Sequence, residues 1–161
     1  MYRTVTLLLA FLLSVGVTFA QSNTPKEVVV NYSNRNSVGV SLVYEVREQI
    51  RESSQMKLVE LYNARNAVIL TIVTLDPNSN SEMEGSSTAY SATWSYLMDS
   101  DENRTQVYLS SEVGISGVDR LSSTARSLVA ETDEQRRKAV SEVASLIQIF
   151  RAYGWRQSDQ Q

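Results

Sequence analysis

Neutral-pH catalysis often rests on histidine, cysteine or a metal they hold, and this chain contains neither residue. Ser-His-Asp and Cys-His arrangements are therefore ruled out, as are the usual His/Cys ligand sets for zinc. No Gly-rich phosphate motif of either common type occurs. The three lysines, Lys26, Lys57 and Lys138, leave a Ser-Lys dyad on paper only. Carboxylates remain, and a facing pair could cleave a glycosidic bond. Most of these acids fall on helix faces and in turns, so a small carboxylate-dependent hydrolase acting on carbohydrate is the alternative to a non-catalytic protein. No cofactor is expected.

Two loops imitate calcium loops. Asp99-Ser100-Asp101-Glu102-Asn103 matches the first ligand positions, but Arg104 stands at the turn glycine and Ser110 at the bidentate glutamate. Asp76-Pro77-Asn78-Ser79-Asn80 fails the same way at Ser81 and Ser87. Asp, Asn, Ser and Pro are ordinary turn formers, so plain turns and no metal site are expected. Gly114-Ile115-Ser116-Gly117 reads as a strand-to-helix turn with Ser116 as helix cap, rather than an anion site. Arg47 and Arg51 alternate with glutamates that neutralise them, which fits a solvated helix face.

The aromatic row Tyr90, Trp94 and Tyr96, with Tyr108 beside it, could grip a partner, because Tyr and Trp are favoured interface anchors. Opposite it in sequence alternation lie only Ser91, Thr93 and Ser95, so core is the expected place for this row. Within 67–75, Val68, Leu70 and Ile72 alternate with Ile69, Val73 and Leu75, which makes both faces of that strand apolar. The candidate binding surface is accordingly Ile69, Val73, Tyr90, Trp94, Tyr96 and Tyr108. The leader, a wrapping carboxy-terminal helix or a partner molecule would cover the face of Ile69 and Val73. A basic-aromatic stretch, Phe150 to Arg156, is expected to fold back on the domain.

These residues need elements to carry them. Residues 27–33 (EVVVNYS) form a short β-branched run, followed by the turn cluster 33–37. Leu42, Val43, Val46 and Ile50 make one apolar stripe of a helix over 38–53. Strands are expected at 56–61, 67–75, 87–98 and 104–113, the last three as an antiparallel meander. From Val118 a helical period returns, and Thr132-Asp133-Glu134-Gln135 has the side chains of a capping box that would start a second helix. The order β-α-β-β-β-β-α-α describes an α+β fold. It has a single mixed, mostly antiparallel sheet of about five strands, with helices packed on one face.

Residues 1–20 read as a cleavable export signal: Arg3, an apolar run from Val5 to Val17, then Thr18 and Ala20 before a cut at Gln21. No cysteine follows, so no lipid anchor is expected, and no transmembrane segment is expected after cleavage. Residues 21–26 read as a flexible leader, 27–153 as one domain and 154–161 as a polar tail. Without Arg3, 14 basic residues face 18 acids, a net charge of −4, which gives no general attraction for nucleic acid. The succession VGVSLVYEVREQIRESS, MKLVEL, AVILTIVTLD and two further strands resembles small bacterial envelope domains: the amino-terminal domain of TolB and the small domain of the curli secretion lipoprotein. The resemblance covers roughly residues 27–113. It implies work through protein contact (self or envelope component) rather than catalysis. The chain departs from that type in lacking a lipid-attachment cysteine and a propeller. Taken together, the expectation is a periplasmic or secreted, non-catalytic binding domain.

Overall fold

The computed structural model describes residues 26–99 and 104–152, with side chains up to residue 142. In chain order it has β1 (Lys26–Ser33), α1 (Ser37–Glu52), β2 (Met56–Leu58), β3 (Ala67–Leu75), β4 (Ser87–Asp99) and β5 (Arg104–Gly117). A 3-10 turn at Val118–Arg120 then leads into α2 (Leu121–Ala152). The signal, the leader up to residue 25, residues 100–103 of the second calcium-like loop and the tail lie outside the described residues.

The five strands form one sheet in the order β2-β1-β3-β4-β5. β1 lies between β2 and β3 and is parallel to both. β3, β4 and β5 form the antiparallel meander. Both helices pack on the same face, as an α+β layer fold requires. Between helices and sheet lies the main core of Val28, Val30, Leu42, Val46, Ile50, Val68, Leu70, Ile72, Trp94 and Leu128, among others. Val68, Leu70 and Ile72 are fully buried there, on the side opposite Ile69, as their alternation requires.

The start of α1 is fixed by polar chemistry. Asn36 is the N-cap, its Oδ1 accepting from the Gly39 amide at 3.0 Å. The same Oδ1 accepts from Thr88 Oγ1 at 3.1 Å, and Asn36 Nδ2 donates to the Ser87 carbonyl at 3.0 Å. One side chain thus ties the helix to β4. Gly39 lies so close to β3 that an added Cβ would come within 2.6 Å of Thr74 Cβ. Only glycine permits that approach.

Four boundaries differ from the sequence expectation. The expected two carboxy-terminal helices are one, and Thr132 starts nothing. Its position continues the buried stripe Ala125, Leu128, Thr132, Gln135 and Ala139, whose spacing of three and four residues keeps one helix face inward without a break. Thr132 Oγ1 donates to the Leu128 carbonyl at 2.7 Å and accepts from Trp94 Nε1 at 2.9 Å. The acids after it pair forward along the helix: Asp133 with Arg136 at 2.7 Å and Glu134 with Arg137 at 2.7 Å. Second, the strand expected over 56–61 stops at Leu58, because the chain turns at Glu60, whose carbonyl accepts from the Asn63 and Ala64 amides. Third, the last strand runs on through Gly117. Fourth, Ser116 is therefore a buried strand residue and not a cap. Its Oγ meets Thr124 Oγ1 at 2.9 Å, while Gly117 precedes the 3-10 turn without any side-chain cap.

Candidate functional site: the helix-free face of the sheet

The face of the sheet away from the helices divides into two halves. At one end, Val29, Ala67, Ile69 and Leu97 form a second small core with Ala64 and Val59. The connection between β2 and β3, residues 59–66, lies over them. Arg104 at the start of β5 fastens this cover, its Nη2 donating to the carbonyls of Leu61 at 2.5 Å and Ala64 at 3.0 Å. Glu27 Oε2 accepts from the Arg65 amide at 3.3 Å. Ile69 is thus 1% exposed, covered by a short loop that the sequence expectation did not include.

The other half is bare among the described residues. Register alone assembles it. Val73 pairs with Ser91 and Ser91 with Val113, while Leu75 pairs with Ala89 and Ala89 with Ile115. These are two rows across three strands, with every side chain on the same face because alternate strand residues share a face. Val73 is 45%, Leu75 50%, Val113 81% and Ile115 69% exposed. Together they line a shallow apolar groove of about 410 Å³. A polar belt, Thr71-Thr93-Ser111, separates the groove from the covered half. Beside the belt, Tyr108 Oη and Ser111 Oγ lie 3.1 Å apart, and Gln106 Nε2 donates to Ser95 Oγ at 2.6 Å.

The aromatic row does not lie on this face. Tyr90, Trp94 and Tyr96 point to the helix side, where Trp94 is 1% exposed in the core and Tyr90 and Tyr96 pack half-buried around it. Tyr90 Oη donates to Glu112 Oε1 at 3.3 Å. Burial, then the nearby Glu112 charge and the hydrogen bond to it, hold the Tyr90 phenol above the ordinary tyrosine pKa of 10.0. Burial alone raises Tyr96. Tyr108 is 64% exposed on the helix-free side, opposite Ser95. The six candidate residues therefore fall into three places. Ile69 is under the loop, Val73 and Tyr108 are on open surface, and Tyr90, Trp94 and Tyr96 are on the helix side. Leu75, read on the same strand face but not named as a candidate, joins the open surface, and Val113 and Ile115 are its members that sequence reading missed. Alternation within 104–113 stops short of Ile115, and a strand reaching Gly117 is the signal that would have found it.

The remaining polar candidates are engaged in local structure. Asp76 accepts from the Asn78 amide at 2.8 Å and the Gly85 amide at 2.7 Å, so its carboxylate closes the loop as an Asx turn does. Arg51 pairs with Glu48, and Arg47 with Glu60 at 3.5 Å, its guanidinium also 6.0 Å from the Tyr32 ring. Ser54 and Lys57 have the Ser-x-x-Lys spacing, but both are exposed, on the turn into β2 and on β2 itself. They do not lie on one helix, where such a spacing brings the pair together. Among the described residues no cluster of three metal-ligating side chains occurs, and no helix is long and apolar enough to cross a membrane.

No protein-family model matches the chain, and no curated protein does. Solved structures with a similar arrangement include proteins from three bacteria, one of them a lipoprotein. The PelC dodecamer of Paraburkholderia phytofirmans is 20% identical with a TM-score of 0.40, over 70% of this chain and 88% of that one. A minor lipoprotein of Acinetobacter baumannii is 10% identical at 0.32, over 69% and 92%. The hypothetical protein CT253 of Chlamydia trachomatis is 10% identical at 0.35, over 73% and 95%. Likeness at this level carries no argument about what this chain does.

Proposed function

We propose that the chain is an exported, non-catalytic domain that binds another macromolecule with the bare half of its helix-free sheet face. The observation that supports this is the pair of cross-strand rows ending in Val113 and Ile115, 81% and 69% exposed. Removing these two side chains from water contributes roughly 4 kcal/mol. Contiguous apolar surface of that kind marks interaction sites on soluble proteins. Five of the carboxylates, Asp76, Glu48, Glu60, Asp133 and Glu134, are engaged in the hydrogen bonds and ion pairs described above, which favours this reading over the hydrolase. The export signal read at residues 1–20, with cleavage before Gln21, supports work in the periplasm or outside the cell.

The test is the size of the native complex in the producing cell. Wild-type chain is expected in a species larger than the monomer, and Ile115→Lys in a smaller one with an unchanged circular dichroism spectrum. A complex indifferent to Ile115→Lys removes the proposed surface.

A further inference from the structure

The two edges of the sheet are unlike. β2 is three residues long and carries exposed Lys57. Short edge strands and lysines are devices that keep an edge from pairing with another chain. β5 is fourteen residues long, without lysine or proline, and no described strand pairs with its outer side. Its two charges are turned away from the edge: Arg104 to the carbonyls of Leu61 and Ala64, Glu112 to the Tyr90 hydroxyl. Its one protective feature is the irregularity of register opposite Trp94 and Ser95. Beyond that point, towards Gly117, the strand is regular, and there its exposed side chains are Ser111, Val113 and Ile115.

We infer that β5 is a self-pairing edge, and that two copies of this chain join along residues 111–117 about a two-fold axis perpendicular to the sheet. This rests on the proposed function and goes beyond it: the second copy meets the edge of β5, and the two open faces lie side by side. Such an axis makes identical edge strands antiparallel and keeps both open faces on the same side. Placed at Gly114, it sets Val113 opposite the second copy's Ile115 and Ile115 opposite its Val113. The rows Val73-Ser91-Val113 and Leu75-Ala89-Ile115 then continue across the axis. Gly114 at the centre leaves room for close approach of the two backbones. The blunted β2 edge excludes the other geometry, β5 against β2, which would build rings or open filaments. The seam covers the backbone edge of 111–117 and the flanks of Val113 and Ile115, while Val73 and Leu75 on β3 stay uncovered beside it.

The chain carries no cysteine, so one thiol introduced at each of two facing positions reads the pairing directly. Cross-strand Cα atoms about 4.5–5.5 Å apart lie within disulfide reach. The full chain is recovered as exported. Light scattering over a concentration series is expected to show a monomer–dimer equilibrium, with Ile115→Lys raising the dissociation constant at least tenfold. An equimolar mixture of Val113→Cys and Ile115→Cys chains, whose thiols face one another across the axis, is expected to yield a disulfide-linked dimer on oxidation, and Val113→Cys mixed with Tyr62→Cys, at a 79% exposed position, is not. Unchanged circular dichroism establishes that each variant folds. The inference is overturned by a chain that stays monomeric at millimolar concentration, or by the Val113→Cys and Ile115→Cys mixture linking no faster than Val113→Cys with Tyr62→Cys. A monomer whose complex in the cell is still lost on Ile115→Lys overturns self-pairing alone and leaves the binding surface. A monomer whose complex ignores Ile115→Lys overturns both.

Discussion

Thr132→Val keeps the shape of the side chain and removes one oxygen, the acceptor of the Trp94 indole N–H at 2.9 Å. Thr132 is 0% and Trp94 1% exposed, so no bulk water can replace it. A buried donor left without a partner costs about 2 kcal/mol. For a domain of this size 1 kcal/mol moves the melting temperature by roughly 4 °C, so the variant is expected to melt about 8 °C lower. Thr132→Ser keeps the oxygen and loses a methyl group, at about 1 kcal/mol and half that shift. Thr132→Asp separates the two roles this residue could have. At a helix N-cap, aspartate is among the best substitutions. In the core it buries a carboxylate beside an indole, which costs several kcal/mol. Thermal melts followed by circular dichroism read all three. Thr132→Val melting with wild type, or Thr132→Asp melting at or above it, would refute the buried Trp94–Thr132 bond as the reason that α2 is one helix.

Gly39→Ala would drive a Cβ into Thr74. The expected cost is about 2 kcal/mol by overpacking, seen as a lower denaturant midpoint. The raised phenols of Tyr90 and Tyr96 bind their protons more tightly in the folded state than in the unfolded one. Stability is therefore whole below pH 10 and falls as pH rises through the shifted values. Alkaline unfolding with absorbance at 295 nm reads this, and Tyr90→Phe is expected to lessen the slope. Ser110 Oγ is buried without a hydrogen-bond partner among the described residues. Ser110→Ala removes an unsatisfied group and is expected to leave the melting temperature equal or a few degrees higher.

The fold was legible where period and burial coincide. Val68 to Ile72 alternate against Ile69 to Leu75, and the stripe of Leu42, Val43, Val46 and Ile50 has no competing period. Boundaries failed where local chemistry had two meanings. Thr132-Asp133-Glu134-Gln135 has the composition of a capping box, yet its threonine also falls on the inward stripe of α2, and packing against Trp94 decided between them. Gly114 and Gly117 look like a strand end, but Gly114 sits under the Tyr90 ring, where a Cβ would come within 2.6 Å of the hydroxyl. That contact asks for glycine within a strand. The cover over Ile69 was not legible, because it depends on Arg104 reaching back to Leu61 and Ala64, a contact between residues 40 or more apart with no periodic signature. Both open rows were readable in β3 through Val73 and Leu75. Their continuation depended on the register of β5, which sequence alternation alone does not set.

The central claim, that the bare half of the sheet is where this domain meets its partner, is tested most directly by a photo-crosslinking amino acid placed at Ile115 in the producing cell. The control position is Tyr44 on α1, which is 61% exposed on the helix side. The expected result is one discrete crosslinked species from position 115 and none from position 44. No species from position 115, or the same species from both positions, would contradict the account.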